Sequence, residues 1–507
     1  MSKEILINVE PKERRVAILE NKVLEEFFVE RTHNIHFLGN VYKGKVSAVV
    51  PGIQAAFVDI GMEKNGFLYV SDLGGAGLDE DELTQVESEG VALTRKKRGR
   101  KLPSISESLK VGDEIMVQVV KEPLGTKGAR LTTHISLPGR YLVLMPGDLH
   151  VGVSKRIQDS QERERLKKLL TELELPPGIG FIVRTAGIGK GKKEFASDVR
   201  YLVSCWKRVQ EKGKRGQAPS LLHEEYDLTL RVVRDNFTEE IDKLVIDSLA
   251  EYKKVIRFVR SLMPHLTRRV ELYQGKQSLY EKWGIEKELD GIYNRRVSLK
   301  CGGYLIIEQT ESLVAIDVNS GRFTGKHNLE ETIFKVNMEA AHEVARQLRL
   351  RDIGGIIIID FIDMEVADHR RKIYKALEEV LRKDRAKTNI LTLSDIGLIE
   401  MTRQRVRKSL ESEAYQTCPY CRGRGSVKSV ATMAIEILRQ IKKFVKETGN
   451  REVQVNISST VATQLLNDDR VALAELENQT RCRVVIQGVN EYHLEEVRIF
   501  PWQAHSG

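Results

Sequence analysis

The sequence predicts a multidomain α/β protein that contains a small β-barrel. Short apolar strands, punctuated by glycine and proline, fill residues 40–73, as they do in small barrels. Beyond about Gly291, apolar strands alternate with long amphipathic helices, which is the pattern of an α/β sheet. The length of 507 residues allows about three or four domains at roughly 150 residues each.

The N-terminal part begins with a sheet and continues into the barrel. Apolar and polar side chains alternate over about the first 30 residues, which predicts an antiparallel sheet with a turn at Glu20–Asn21. The barrel pattern is interrupted by a stretch that contains the basic run Arg95–Lys101. We expect a solvated loop there, because like charges repel one another. Strand pattern returns at Val111–Glu122.

The middle of the chain mixes helix and strand signals. From about His134 to Leu228, apolar strands flank a charged helix that is predicted over Ser160–Glu174 and ends before Pro176. Residues 228–277 carry apolar side chains at three- and four-residue spacing, so this region is predicted to be helical.

The last third of the chain carries the clearest α/β pattern. A long helix is predicted from about Asn328, which with Glu331 resembles a capping box, to Arg351. The continuous apolar run GIIIID, residues 355–360, is typical of a strand covered on both faces. Another helix and strand follow, and a final domain with β and α character begins near Ser426.

Composition and charge narrow the class of protein. A hydrophobic share of 41% is ordinary for a globular chain and excludes wholesale disorder. Lysine and arginine number 81 against 72 aspartate and glutamate residues, which gives a net charge of +9. Such an excess is typical of proteins that bind a polyanion, most often nucleic acid, but it also occurs in proteins that bind none. Net charge alone leaves both readings open.

Cysteine usage and hydropathy indicate the compartment. The five cysteines are too few and too scattered for a disulfide framework, which indicates a reducing environment. The charged N-terminus lacks the pattern of a secretory signal, and no apolar segment approaches the roughly 20 residues of a spanning helix. We therefore expect a cytoplasmic protein with no membrane segment.

Two aspartates end two predicted strands. Asp317 and Asn319 close one strand, Asp360 closes the next, and a single long helix separates them, as in a βαβ crossover. Both carboxylates should then emerge at the sheet edge where α/β proteins place ligands. Oxygen ligands of this kind suit Mg²⁺ or Mn²⁺, with Asp363 as a candidate supporting group. The alternative is that these aspartates only cap the turns that follow their strands.

Other catalytic patterns are missing from the sequence. There is no G-x-x-x-x-G-K-[ST] phosphate loop, no G-x-S-x-G elbow and no H-E-x-x-H. The sequence therefore predicts neither an NTPase, nor an α/β-hydrolase, nor a zinc metalloprotease.

Cys418 and Cys421 form a C-P-Y-C motif. This spacing offers two thiolates to one zinc ion, but it is also the spacing of redox dithiols. The basic segment before the motif and the glycines after it favour zinc. A structural zinc needs four ligands, and the simplest completion is the same cysteine pair from a second chain. The alternative is completion by Cys482 or a histidine.

Aromatic and basic side chains mark candidate nucleic-acid surfaces. Phe57 and Phe67 lie in barrel strands, where they suit base stacking, although both could equally belong to the barrel core. Arginines and lysines gather around the C-P-Y-C motif and at the end of the long helix, which we expect to lie near the Asp317 and Asp360 edge. These residues are Arg403, Arg405, Arg407, Lys408, Arg422, Arg424, Arg346, Arg349 and Arg351.

Several long segments resemble one known family. They are NVYKGKVSAVVPGIQAAFVDIG, KGARLTTHISLPGRYLVLMPG, GFIVRTAG, LVAIDVNSG, ARQLRLRDIGGIIIIDFIDM and CPYCRGRG. Over nearly its whole length the chain resembles the bacterial RNase E/RNase G endoribonucleases. It lacks the long Pro- and Arg-rich C-terminal scaffold of RNase E-type members, so it is more similar to RNase G-type members.

The resemblance implies a fold and its domain limits. The domains are an RNase H-like fold in two parts (residues 1–36 and 229–292), an S1 (OB-type) RNA-binding domain (37–133), a 5′-sensor region (134–228), a DNase I-like catalytic subdomain (293–413), a zinc link (414–428) and a small C-terminal domain (429–507). The RNase H-like fold would thus be interrupted by the S1 and sensor regions.

The resemblance also implies roles for individual residues. Asp317 and Asp360 match the Mg²⁺-binding positions and Asn319 matches an assisting one. The pocket that reads a 5′-monophosphate corresponds to Arg184 and Thr185, lined by Gly139 and Val143. RNA-contacting positions correspond to Phe57, Phe67 and Lys127, and half of a zinc site shared between two chains corresponds to Cys418 and Cys421.

The chain departs from the family pattern in two places. Lys155 and Lys387 stand where some members carry arginine near the sensor, and lysine loses the bidentate fork of a guanidinium. The basic run Arg95–Lys101 matches no family signature, so it adds either nonspecific RNA affinity or only a solvated loop.

The expected function is that of a Mg²⁺-dependent endoribonuclease that prefers single-stranded RNA and senses a 5′-monophosphate. Its products would carry 5′-phosphate and 3′-hydroxyl ends, and its RNAs would be ribosomal precursors and mRNA, as in the family. We expect a homodimer joined by zinc, with pairing into tetramers left open. The rival class is a noncatalytic RNA-binding or assembly protein, which would not need Asp317, Asn319 and Asp360. A redox role at Cys418 is the third reading.

Overall fold

The structure is a computed structural model. It describes residues 2–502 except 32–36, 74–103, 124–127, 149–150, 156, 158, 311, 322–328, 383, 385, 393, 395–396, 405–409 and 411–413. The chain forms two compact units, Met1–Glu411 and Ser412–Gly507. None of the described helices combines the length and the apolar composition needed to cross a bilayer. The predicted loop at Arg95–Lys101 and the predicted helix start at Asn328 lie outside the described residues.

The first sheet joins two distant parts of the chain. Its strands are β1 (Lys3–Glu10), β2 (Glu13–Glu20), β3 (Val23–Arg31), β14 (Lys243–Ile246) and β15 (Val270–Leu272). Their order is β15-β14-β1-β2-β3, with β1 antiparallel to β2 and parallel to β14. The predicted hairpin turn lies at Asn21 and Lys22, which both have the positive φ of a type I′ turn.

Helices cover both faces of this first sheet. They are α4 (Leu228–Asn236), α5 (Leu249–Leu262), α6 (Leu279–Trp283) and α7 (Glu286–Ile292). Alternation along β1 sends Ile5 and Ile7 into the apolar cluster of α4 and α5, and Leu6 into that of α6 and α7. A sheet that is covered on both faces explains why β1 is apolar without interruption from Ile5 to Ile7.

The barrel closes as predicted from its short strands. They are β4 (Val41–Val50), β5 (Ala55–Asp59), β6 (Gly66–Tyr69), β7 (Glu114–Lys121) and β8 (Arg130–Thr132), with helix α1 (Ile105–Ser108). Closure arises because β4 pairs with β5 on one side and with β7 on the other. A later strand, β13 (Ser220–His223), extends the barrel sheet beside β4.

A four-stranded sheet follows the barrel in sequence. Its order is β11-β12-β10-β9. The elements of this region are β9 (Leu137–Pro138), β10 (Leu142–Pro146), β11 (Val151–Val153), α2 (Ser160–Thr171), β12 (Ile179–Val183) and α3 (Lys192–Arg215). Helix α2 confirms the predicted charged helix, which ends a few residues earlier than expected. Phe195 and Leu202 of α3 pack against Leu142 and Leu144 of β10 in one core.

A six-stranded sheet carries the two strand-end aspartates. Its order is β16-β17-β18-β19-β21-β20, and β18 and β19 are parallel, as the predicted crossover requires. The strands are β16 (Arg296–Ser298), β17 (Tyr304–Gln309), β18 (Leu313–Asn319), β19 (Gly355–Asp360), β20 (Thr388–Ile390) and β21 (Leu398–Arg403), and the helices are α8 (Leu329–Leu350) and α9 (Ala367–Leu381).

The prediction that β19 is covered on both faces is wrong. Ile357 and Ile359 are fully buried against α8 and α9, whereas Ile356 keeps 52% of its surface exposed. The two helices form one core with a single face of the sheet, so within the described residues the other face of β19 remains open to solvent.

The C-terminal unit is a small α/β domain, as predicted. Its three strands have the order β23-β22-β24, with β22 parallel to β23 and antiparallel to β24. The elements are α10 (Val430–Thr448), β22 (Glu452–Ser458), α11 (Ser459–Asn467), α12 (Arg470–Thr480), β23 (Arg483–Val489) and β24 (Val497–Pro501).

Candidate functional sites

Asp317 and Asp360 meet at the carboxyl ends of β18 and β19, the two central strands of the six-stranded sheet. They are register partners on the adjacent parallel strands β18 and β19, so their backbones lie about 4.8 Å apart. Both side chains are exposed on the uncovered face. Asn319, two residues along β18, donates from its Nδ2 to Asp317 Oδ2 at 2.7 Å. The geometry that the spacing predicted is therefore present.

The electrostatics of this edge favour a cation. Partial burial, together with repulsion from Asp317 and Asp363, raises the pKa of Asp360 above its usual value. Two carboxylates and an amide present hard oxygen atoms, and Mg²⁺ accepts few protein ligands because it retains several waters. Among the described residues, no group of three or more His, Cys, Asp or Glu side chains forms a metal-binding cluster. The oxygen donors of Asp317, Asp360 and Asn319 suit a Mg²⁺ ion that keeps several of its waters.

Helix α8 fixes the loop that follows Asp360. The buried Asn337 donates from Nδ2 to the Ile362 carbonyl at 2.8 Å and accepts from the Ile362 N–H at 3.1 Å. Near the start of the same helix, Glu330 accepts the Val366 N–H and contacts His369 Nδ1. These residues were not among the predicted site residues, although an asparagine among the apolar positions of α8 is a signal that the sequence contains.

Arg184 lies at the end of β12 and contacts Gly139. Its Nη1 donates to the Gly139 carbonyl at 2.6 Å and to Asp235 Oδ1 at 2.7 Å. Gly139 must be glycine for steric reasons, because a Cβ there would lie 2.7 Å from Asp198 Oδ2. The structure thus brings Arg184 and Gly139 together and adds Asp235 and Asp198, which sequence reasoning did not find.

The other predicted sensor residues differ in solvent exposure. Thr185 follows Arg184 directly and begins a short 3-10 turn. The Val143 side chain is fully buried in β10, opposite Ile182 of β12. Lys155 and Lys387 are exposed.

Three aromatic rings line one side of the barrel. Phe57 and Phe67 are register partners with ring centroids 5.2 Å apart, and Tyr69 lies 4.5 Å from Phe67. Both phenylalanines are half-buried and lie outside the barrel's apolar cluster, and Tyr69 is 38% exposed. Arg130, which is ion-paired to the buried Asp72, lies over the Tyr69 ring. Tyr69 and Arg130 extend the predicted surface, and Lys127 lies outside the described residues.

Cys418 and Cys421 lie in a tight turn of the C-terminal unit. The Gly425 N–H donates to Cys421 Sγ at 3.4 Å, and N–H groups of Gly425 and Gly423 lower the pKa of the Cys421 thiol. Helix α10 begins only at Val430, whereas redox dithiols lie at a helix start. Cys482, the proposed alternative ligand, is buried in the apolar core of this unit. This turn resembles a half-site for zinc.

The predicted cluster of positive charge near the Asp317 and Asp360 edge is wrong for α8. The crossover helix runs antiparallel to the strands, so its C-terminal turn lies at the opposite edge of the sheet. The arginines there make structural contacts: Arg346 with the Leu24 carbonyl, Arg349 with Glu25, and Arg351 with Gln347 and the Asn294 carbonyl. Arg403 is 5% exposed and ion-paired to Asp384 and Asp352.

Family comparisons match three parts of the chain. Residues 35–134 match the S1 RNA binding domain, residues 136–406 match the ribonuclease E/G family, and residues 417–502 match the thioredoxin-like domain of RNase E/G.

Curated relatives match the chain over almost its full length. Ribonuclease G of Escherichia coli (strain K12) is 45% identical over 98% of this chain and 99% of its own. Ribonuclease G of Haemophilus influenzae is 42% identical over 97% and 98%, respectively. Ribonuclease E of Haemophilus influenzae is 37% identical over 96% of this chain but only 50% of its own. The predicted similarity to RNase G-type members is confirmed.

Proposed function

The chain belongs to the ribonuclease E/G family, and we propose that it is an endoribonuclease that requires Mg²⁺ and cuts single-stranded RNA. The register pair of Asp317 and Asp360 carries this proposal, because a protein that only binds RNA has no use for two repelling carboxylates at an open sheet edge. The products would carry 5′-phosphate and 3′-hydroxyl ends, and the substrates would be ribosomal RNA precursors and mRNA.

The side chains of this edge have separate tasks in the proposed reaction. Asp317 and Asp360 would hold Mg²⁺, which when bound would activate a water and stabilise charge on the scissile phosphate. Asn319 holds the Asp317 carboxylate in one orientation through its 2.7 Å hydrogen bond. Asn337 and Glu330 fix the loop after Asp360, so this carboxylate does not depend on a mobile turn for its position.

Substitution of Asp360 tests the catalytic assignment against the rival reading of a noncatalytic RNA-binding protein. Asp360→Asn should bind a 5′-phosphorylated single-stranded oligonucleotide about as well as the wild type and cut it at least about 100-fold more slowly. Asp368→Asn is the matched control, because Asp368 is an exposed carboxylate of the same region whose ion pairs, among the residues that the structure describes, are with Arg371 and Lys372. Cutting by Asp360→Asn at the wild-type rate would reject this active site.

We propose the domain limits that the resemblance implied, with an interrupted RNase H-like fold. The strand order β3-β2-β1-β14-β15 supports it, because the barrel and the four-stranded sheet come between β3 and β14 in sequence. The DNase I-like subdomain would be the six-stranded sheet with α8 and α9, and the zinc link would precede the small C-terminal domain.

We propose that RNA lies on the barrel and ends at a 5′-monophosphate sensor. Phe57, Phe67 and Lys127 would contact the strand, a role that the half-exposed rings of the two phenylalanines support. Arg184 and Thr185, beside Gly139 and Val143, would bind the terminal phosphate. Cleavage of matched 5′-monophosphate and 5′-hydroxyl RNAs, with and without Mg²⁺, measures both properties.

We propose that zinc joins two chains through Cys418 and Cys421 of each. Four thiolates complete a structural site, and the N–H groups around Cys421 favour its thiolate form. The double variant Cys418→Ser, Cys421→Ser should lose zinc and sediment as a monomer, with Cys205→Ser as the control at a buried thiol. A dimer that persists after zinc is lost would refute the shared site.

A further inference from the structure

Within the part of the chain that the structure describes, the Arg184 guanidinium is held by hydrogen bonds from one side only. Both of its protein contacts, to the Gly139 carbonyl and to Asp235 Oδ1, involve Nη1. Within the described residues, Nε and Nη2 make no hydrogen bond to protein. This second edge is the pair of donors that an arginine uses to grip a phosphate with two parallel hydrogen bonds.

Asp235 is itself held by a second arginine. Arg234 Nε donates to Asp235 Oδ1 and Arg234 Nη2 to Asp235 Oδ2, both at 3.1 Å, and the Arg234 side chain is 6% exposed. Burial opposes ionisation of Asp235, but the two arginines hold its pKa well below its usual value. Arg234 also pairs with the half-buried Glu225 at 2.8 Å, so the two arginines share two carboxylates. Asp235 is therefore fixed by Arg234 on one side and contacts Arg184 Nη1 on the other.

The same group of side chains anchors the segment from Pro138 to Leu142. Arg234 donates to the Pro138 carbonyl at 3.3 Å, and Arg184 donates to the next carbonyl along, that of Gly139. On the other side of the backbone, the buried Asp198 accepts the N–H groups of Arg140, Tyr141 and Leu142. The acceptors of Arg184 Nη1 are therefore both fixed in place by neighbouring buried groups.

We propose that Asp235 is a positioning residue of the 5′-phosphate sensor, which holds Arg184 Nη1 so that the Nε and Nη2 edge is directed to the phosphate. This inference rests on the proposed function of Arg184 in 5′-end sensing. It adds a residue of helix α4 to a site whose other members lie in the four-stranded sheet and its loops. Without Asp235, the guanidinium has a single acceptor and loses its fixed orientation.

Asp235→Asn tests the proposal with two readouts. The first is the ratio of kcat/KM for a 5′-monophosphate RNA to that for the same RNA with a 5′-hydroxyl. The second, in the absence of Mg²⁺, is the ratio of the Kd for the 5′-hydroxyl RNA to the Kd for the 5′-monophosphate RNA, both as uncleavable 2′-O-methyl versions. We expect both ratios to fall at least about tenfold, the loss of one well-oriented charged contact. A general loss of folding lowers binding of both RNAs and leaves the ratios unchanged.

Glu239→Gln is the matched control. Glu239 is a carboxylate four residues along the chain that pairs with Lys190 and His265 instead of Arg184. Its ratios should equal those of the wild type. If Asp235→Asn does not fold, Asp235→Glu is measured instead, because it keeps the charge and displaces it by one methylene. For Asp235→Glu we expect both ratios to be at least about threefold lower than those of the wild type.

Each result has one meaning. A wild type that treats both RNAs equally overturns the sensing proposal and this inference with it. If the wild type prefers the 5′-monophosphate RNA and the Asp235→Asn variant keeps the full preference, only the proposed role of Asp235 is overturned. A variant that weakens binding of both RNAs in equal proportion also overturns it, because Asp235 would then serve folding alone.

Discussion

Asn337 and Ile362 are joined by two hydrogen bonds, one at 2.8 Å and one at 3.1 Å, between the side-chain amide and both backbone groups of the isoleucine. This contact ties the middle of α8 to the loop between Asp360 and Asp363. A fully buried asparagine is costly unless its polar atoms are paired, and here the partner is the loop of the candidate active site.

Asn337→Leu should lower both stability and turnover. The substitution removes the partner of both backbone groups of the half-buried Ile362, at up to about 1–3 kcal/mol for each. Because loss of these bonds releases the Asp360 loop, we expect kcat to fall about tenfold or more while Kd for RNA stays near the wild-type value. Thermal unfolding and steady-state cleavage measure the two effects. Lys335→Ala on the same helix is the control, and an unchanged kcat would show that the loop keeps its position without Asn337.

Removal of the Asp360 charge should stabilise the metal-free protein. The folded state raises the pKa of Asp360, so its ionised form is disfavoured on folding and wild-type stability increases as pH falls through this folded pKa. Near pH 7 without Mg²⁺, we expect Asp360→Asn to melt about 1–3 °C above the wild type. The difference should shrink as pH falls through the folded pKa and vanish below the pKa of the unfolded state, where both states are protonated. A variant that melts lower than the wild type at pH 7 contradicts this account.

Tyr69→Ala should weaken the binding of single-stranded RNA. Its exposed ring continues the Phe57 and Phe67 surface and lies beside the Arg130 guanidinium, so it offers one more base a stacking partner. The expected loss is about 1–3 kcal/mol in binding, measured by fluorescence anisotropy at fixed salt. Ile53→Ala removes a more exposed apolar side chain of the barrel that cannot stack, and it should bind as the wild type does.

Arg403→Ala should lower the free energy of unfolding and leave the affinity for RNA unchanged. Arg403 and Asp384 are 5% and 3% exposed, and removal of one partner leaves the other charge buried. The expected cost is about 3–5 kcal/mol in the free energy of unfolding, measured with urea. Arg382→Ala, at an exposed ion pair with Glu378, should cost less than about 0.5 kcal/mol. A large loss of RNA affinity with full stability would restore Arg403 to the RNA-binding surface.

The sequence by itself predicted the local elements and the pairing of the two aspartates. Residue alternation, strand length and crossover spacing are local properties of the chain, and they were enough to bring Asp317 and Asp360 to one sheet edge. Motif spacing likewise predicted that the thiols of Cys418 and Cys421 lie close together, because both belong to one short segment.

Only the tertiary structure decided which charges are functional and which are structural. Asp235 reaches Arg184 from a helix 51 residues away in sequence, and Arg349 pairs with Glu25 across 324 residues. A charge pattern in the sequence cannot distinguish a solvent-facing arginine from one neutralised by a distant carboxylate. Burial of the pair determines its pKa values, its energy and its availability to RNA, and burial depends on how the sheets and helices pack.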